Sequence, residues 1–169
     1  MNTRFRFWMG TALLVLLVAG CGGKGDSSKL KAPAFSLPSV TEDRHIALAD
    51  YENRVLILDF WATWCPPCKR EIPHFNELYE EYGEEGLEIL GVSVDQGGPD
   101  VVRQYMESSD PDLVPDYPVV MVDRQTVQSY GPMQYIPTTY VIDRKGRVQR
   151  RFDGYQEKEV FEELVKKLL

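Results

Sequence analysis

Residues 64–71 read WCPPCKRE, and the two cysteines in them can do three kinds of chemistry. A disulfide between Cys65 and Cys68 closes so small a loop that it constrains little of the unfolded chain, so a purely structural staple gains little stability. A structural zinc site needs about four ligands, and with Cys21 of the amino-terminal segment set aside only His45 and His74 are left in the chain beside this pair. The third possibility, thiol-disulfide exchange, is the one the surroundings favour. An apolar run ends just before Cys65 and a helical pattern begins just after it, with Pro66 and Pro67 in the first turn, where prolines are tolerated. A thiol at that junction faces unpaired amides and the positive end of the helix dipole, both of which favour the thiolate. Cys68 lies one turn further in on the same face. It is expected to be shielded and placed to attack a mixed disulfide formed at Cys65.

Two carboxylates stand close in sequence. Asp59 lies within the apolar run, six residues before Cys65; if buried, its pKa rises and it can take the proton of Cys68 as that thiol attacks. The alternative is an acid at a solvated strand end. Glu71 follows Cys68 by three residues, one turn along the same face and beside Phe75 on an apolar stripe; an ordinary first-turn helix acid would look the same in sequence.

The elements that must position these groups are legible in the hydrophobic pattern. VLILDFWA at 55–62 is a continuous apolar run with one acid, the mark of a strand buried on both faces. Residues 66–82 have helical period, with Ile72, Phe75, Leu78, Tyr79 and Tyr82 on one stripe, and Pro73 is expected to kink the helix. LEILGVSVD at 87–95 is another buried strand, so strand, helix and strand make a right-handed parallel crossover. A helix from Pro99, a short strand in PVVMVD at 118–123 and a helical turn at 126–130 follow. A hairpin then joins TTYVID to RVQRRFDG around Arg144, Lys145 and Gly146, and an amphipathic helix spans 157–169. Short extended pieces lie near Phe35 and at 45–48. The fold class is α/β, a mixed sheet flanked by helices. Trp61 is expected in the core, His45 and His74 at the surface.

The amino terminus is different in kind. Arg4 and Arg6 precede an apolar block at 7–19, which is shorter than the ~18 to 20 residues that span a bilayer, and small residues follow before Cys21. This is the layout of a secretory signal. The ending Val18, Ala19, Gly20, Cys21 resembles the lipobox of bacterial lipoproteins, which implies cleavage after residue 20, lipidation of Cys21 and anchoring by more than one acyl chain. GGKGDSSKLKA then reads as a flexible tether. The domain expectation is a signal at 1–20, a lipidated cysteine and tether at 21–32, and one folded domain at 33–169. Assigning Cys21 to lipid resolves the odd cysteine count of a chain outside the cytoplasm. Loss of residues 1–20 removes Arg4 and Arg6 and no acid, taking the net charge from −7 to −9. Such acidity without a basic run argues against nucleic acid as a partner.

DFWATWCPPCKREIP at 59–73 resembles the active-site segment of thioredoxin-fold proteins. With APAFSLPSV at the start and YIPTTYVIDRKGRV near the end, residues 33–169 resemble the TlpA/ResA/DsbE-like thiol-disulfide oxidoreductases. The resemblance implies a thioredoxin fold with an extra amino-terminal strand pair, from residues 33–48, and an insertion at 96–116. It also implies a cis Ile136-Pro137 loop facing the cysteines, and a partner-facing surface of Trp64, Pro66, Pro67, Ile136 and Pro137, although Trp64 beside a buried strand also suits a core residue. Asp59 matches the buried acid of thioredoxins and Glu71 the glutamate of ResA-like members that tunes cysteine acidity. The implied enzyme is an extracytoplasmic monomer that reduces protein disulfides, among them those of apocytochromes c, with electrons from a membrane thiol donor. No cofactor or metal is expected, because the cysteine pair carries two electrons itself. Two other functions are weighed. A peroxiredoxin-type thiol peroxidase calls for Pro-x-x-x-Thr-x-x-Cys spacing, but Leu58 and Ala62 stand where Pro and Thr would precede Cys65. A redox-switched binding or chaperone module would use the cysteines only to change shape.

Overall fold

The apolar run at 55–62 becomes β3 (Val55–Trp61), every residue of which is buried, because it lies in the middle of a five-stranded sheet ordered β5-β4-β3-β6-β7. It pairs in parallel with β4 (Leu87–Ser93) on one side and antiparallel with β6 (Thr138–Ile142) on the other. The edges are β5 (Val119–Met121), parallel to β4, and β7 (Val148–Asp153), antiparallel to β6. This computed structural model describes Met1 and residues 30–169. The signal expected at 1–20, apart from Met1, the lipidation expected at Cys21 and the tether expected after it, up to residue 29, lie outside the described residues.

Alternation along β3 sends its side chains to two cores. Val55 and Ile57, with Leu87 and Ile89 of β4 and Phe152 of β7, pack against Phe75 and Leu78 of α1 (Pro66–Tyr82) and Phe161 and Val165 of α4 (Lys158–Leu168). Leu56, Leu58 and Phe60 point the other way, with Leu90, Val92, Val120 and Tyr140. There they meet Tyr130 of α3 (Arg124–Tyr130), and Leu37 and Ile46 of the antiparallel pair β1 (Ser36–Pro38) and β2 (His45–Ala47). That strand pair is held to the sheet edge where Val40 N–H donates to the Val119 carbonyl at 2.9 Å. The insertion at 96–116 supplies α2 (Pro99–Ser108), whose Val102 closes a third cluster with Trp61, Ile72 and the two cysteines. Gly91 faces this region: a Cβ there would sit 3.0 Å from the Trp61 indole nitrogen. The result is the thioredoxin fold with the extra strand pair.

Two expectations change at the margins. Residues 31 and 32, read as tether, already belong to the domain: Ala32 N–H donates to the Gly146 carbonyl at 2.9 Å, and Val148 N–H to the carbonyl of Leu30 at 3.0 Å. His74, read as a surface residue, is half-buried; its ring lies 5.8 Å from that of Tyr155, and its Nδ1 is buried without a partner. The loop around Gly154 brings Tyr155 over the helix, a contact no local pattern announces. His45 is exposed and Trp61 is buried.

Phe161 tests the packing that seats α1. It is fully buried, 5.0 Å from the Phe75 ring and 5.1 Å from that of Phe152. Phe161→Ala is expected to cost about 3 to 5 kcal/mol, while neighbouring Val160→Ala, on the open side of the helix, should stay within about 0.5 kcal/mol. Equilibrium urea unfolding measures both; a loss under about 1 kcal/mol for Phe161→Ala would refute the role given to α4.

Candidate active site

Cys65 is the N-cap of α1. Its extended backbone places Sγ where the Cys68 N–H donates to it at 3.2 Å, satisfying one of the amides that the helix start leaves unpaired. Pro66 and Pro67 occupy the first helical positions and have no N–H to satisfy. The two sulfurs form a disulfide across a Cα separation of 5.3 Å. Both cysteines are buried in this oxidised state, Cys65 at 2% and Cys68 at 0% exposure, so the expected contrast between an open and a shielded thiol is small. What distinguishes them is their neighbours. Cys65 Sγ lies 3.7 Å from the carbonyl oxygen of Ile136, an acceptor for its thiol once reduced. Cys68 faces the interior cluster with Ile72.

The loop that joins β3 to Cys65 is pinned from below. Asp95, just past β4, accepts from Thr63 N–H at 3.0 Å, from Thr63 Oγ1 at 2.7 Å and from Ser93 Oγ at 2.9 Å. Cys65 N–H closes a turn to the Ala62 carbonyl at 3.1 Å. Trp64, between these fixed points, is 64% exposed; it is a surface residue beside the disulfide and not part of the core. Ile136-Pro137 is a cis peptide, and the Pro137 carbonyl accepts from Gly154 N–H at 2.8 Å.

Both carboxylates are buried. Asp59, opposite Gly91 on one neighbour and Thr139 on the other, is 1% exposed, and Thr139 Oγ1 donates to its Oδ1 at 3.1 Å. Burial raises its pKa well above the usual carboxyl range, against the opposing effect of the Thr139 bond. Glu71 is fully buried on α1. Gln156 N–H donates to its Oε1, and Oε2 has no partner. Burial raises its pKa strongly and the Asp59 carboxyl adds to the rise; Gln156 and Arg70 work against it. The two acids therefore feel one another in the interior of the domain. Asp59 is thus not a solvated strand-end acid, and Glu71, fully buried beyond the first turn of α1, is not an ordinary first-turn helix acid. Among the described residues no group of three His, Cys, Asp or Glu side chains is arranged to hold a metal ion.

The fold thus brings Cys65 against Cys68 and the Ile136 carbonyl and sets Glu71, one turn beyond Cys68, within electrostatic reach of Asp59, while Trp64 and Pro66 are exposed and Pro67 half-buried. Sequence reasoning missed the supports. Gln156 is 85 residues from Glu71 and acts through its backbone N–H, which any residue but proline supplies. Thr139 sits in the quoted segment near the end, but its contact to Asp59 depends on strand register. Asp95 carried a weak signal as a polar residue closing a buried strand.

Comparison with known proteins agrees with this geometry. The model of the AhpC/TSA family matches residues 29–151. The thiol-disulfide oxidoreductase ResA of Geobacillus thermodenitrificans is 36% identical over 172 residues, covering 94% of each chain. Among solved structures, a secreted thiol-disulfide isomerase from Corynebacterium glutamicum superposes with a TM-score of 0.75 at 28% identity, covering 85% of this chain and 87% of its own. A thiol:disulfide interchange protein of the thioredoxin family from Chlorobium tepidum does so with a TM-score of 0.72 at 29% identity, covering 85% and 98%. A buried disulfide at a helix N-cap, on this sheet and with these relatives, has one reading: the chain belongs to the AhpC/TSA family and is a ResA-like thiol-disulfide oxidoreductase.

Proposed function

We propose that the protein is an extracytoplasmic reductase of protein disulfides, held at a bacterial membrane by lipid on Cys21, with residues 1–20 removed as its signal. The observation that carries the catalytic part is the disulfide at the N-cap of α1, with Glu71 buried one turn beyond Cys68 and Asp59 buried in β3. Cys65, as thiolate, attacks one sulfur of a client disulfide and the client's other sulfur leaves as thiolate. The Cys68 thiol gives its proton to the buried acid pair and attacks Cys65 Sγ. The client departs as a dithiol, and the Cys65-Cys68 disulfide holds the two electrons' worth of oxidation. A membrane thiol donor restores the dithiol. The Ile136-Pro137 loop, with Trp64, Pro66 and Pro67, receives the client as an added extended strand. Kinship with ResA supports the reductive direction, and apocytochromes c are the clients it suggests. A peroxidase reading gains nothing from the site, since the positions that would carry its Pro and Thr are Leu58 and Ala62, both buried.

Trapping tests the reading. In the native host a Cys68→Ser variant is expected to retain exported proteins as mixed disulfides on Cys65, identifiable by mass spectrometry, and Cys65→Ser is expected to retain none. Capture of glutathione alone by an abundant Cys68→Ser protein would sink the specific-reductase assignment.

The buried acids give a pH signature. For both, the folded state holds the proton more tightly than the unfolded one. Their contribution to stability is therefore complete below the unfolded carboxyl pKa of about 4 and is lost as pH rises towards the raised folded values. In the oxidised protein, where the cysteines do not titrate, Tm should fall as pH rises from about 5 to about 9. Glu71→Gln keeps an acceptor for Gln156 and removes the titration, so the fall should shrink, the variant gaining on the parent by roughly 3 °C or more at the alkaline end. Parallel Tm curves for the two proteins would show that Glu71 titrates normally.

A further inference from the structure

Among the described residues, only two aromatic side chains leave most of their surface open, Trp64 at 64% and Tyr135 at 68% exposure. Both adjoin in sequence a residue that meets the same sulfur. Trp64 immediately precedes Cys65, and Tyr135 immediately precedes Ile136, whose carbonyl lies 3.7 Å from Cys65 Sγ. The backbone under Tyr135 is fixed, since Thr138 Oγ1 donates to its carbonyl at 2.7 Å. Its ring and hydroxyl nevertheless meet no partner among the described residues. Each such ring carries about 150 to 250 Å² of surface that is favourably covered, and two of them beside one reactive sulfur form an apolar rim.

We propose that Tyr135, with Trp64, sets substrate preference: the enzyme favours disulfides whose attacked cysteine lies in an extended segment with a large apolar or aromatic side chain two positions away. This rests on the reductase reading above and names the substrate class of that site. The spacing follows from strand geometry. A client segment laid along the Ile136 backbone alternates its side chains. When its cysteine points at Cys65, the residues two positions either side point the same way, about 6.6 to 6.8 Å along the strand, towards the two rings. The immediate neighbours point away. Folded client surfaces rarely offer such a segment, so the preference selects chains not yet folded.

The test uses the full chain, reduced and held in detergent, and heptapeptides whose central cysteine is joined to thionitrobenzoate. Cys65 attacks the peptide sulfur and thionitrobenzoate leaves as the coloured thiolate. Cys68 then displaces the peptide thiolate and forms the Cys65-Cys68 disulfide, so two electrons pass from the dithiol to the substrate. Rates are normalised to the same preparation acting on the symmetrical thionitrobenzoate disulfide. Phenylalanine two positions from the cysteine is expected to raise the second-order rate constant of this single turnover about tenfold over serine there, equivalent to about 1.4 kcal/mol; phenylalanine next to the cysteine should not. Tyr135→Ala should bring the ratio close to one, and Tyr135→Phe should restore it, which separates the ring from the hydroxyl.

Equal rates for all peptides, or a preference that survives Tyr135→Ala, overturn the assignment while leaving the reductase reading intact. Failure on the small disulfide itself overturns both. Sedimentation showing a dimer that Tyr135→Ala dissociates also overturns it, because the ring would then be a self-association contact.

Discussion

The structure turns on one junction, where a strand buried on both faces hands the chain to a helix whose cap is a sulfur. β3 is the central strand of the sheet, every residue in it is buried, and it delivers the chain to Cys65 from the interior of the domain. A cap normally comes from an oxygen-bearing side chain. Here Sγ takes that place and accepts the Cys68 N–H, so the amide that secures the helix start is also a donor to any negative charge on Cys65. Redox chemistry and helix formation share one interaction. The turn to Ala62 and the three donors gathered by Asp95 fix the approach, so the sulfur does not depend on loop flexibility for its position.

Against this thiolate-stabilising end stands a pair of buried acids that work in the opposite sense. Placing Asp59 and Glu71 under the sheet-helix seam is unfavourable whenever either is charged. Thr139 and Gln156 offset part of that cost, and Glu71 Oε2 is left without a partner. Such local disagreement between stability and placement concentrates at functional sites. The Gln156 contact also ties α1 to the loop whose Gly154 N–H holds the Pro137 carbonyl. Glu71 is thus linked by contacts to the cis-proline loop proposed above to receive a client.

Much of this was legible in the sequence because burial leaves periodic traces. The run at 55–62, the stripe from Ile72 to Tyr82 and the buried strand read at 87–95 each matched an element within a residue or two, and the junction at Cys65 followed from their order. What escaped were contacts made through backbone groups or through register. Gln156 serves through its N–H, so its side chain carries no mark of the role. Thr139 reaches Asp59 only because β6 pairs with β3 in one register. His74 became half-buried through a loop folding over from the far end of the chain. The tether boundary was misplaced for a related reason: Lys31 and Ala32 look like linker, and only their pairing with 146–147 draws them onto the sheet.

That pairing also orients the molecule. Ile142, just before the turn that receives residues 31 and 32, pairs with Leu56 near the start of β3, while Cys65 follows the strand's other end. Whatever precedes residue 30 is therefore joined to the pole opposite the disulfide. An anchor on Cys21 would leave the Trp64 and Tyr135 rim facing away from the point of attachment, open to clients in the aqueous space. A donor embedded in the same membrane would then have to extend a thiol outward to meet Cys65, and the tether, at no more than about 3.3 to 3.6 Å per residue, limits how far the domain can turn to help.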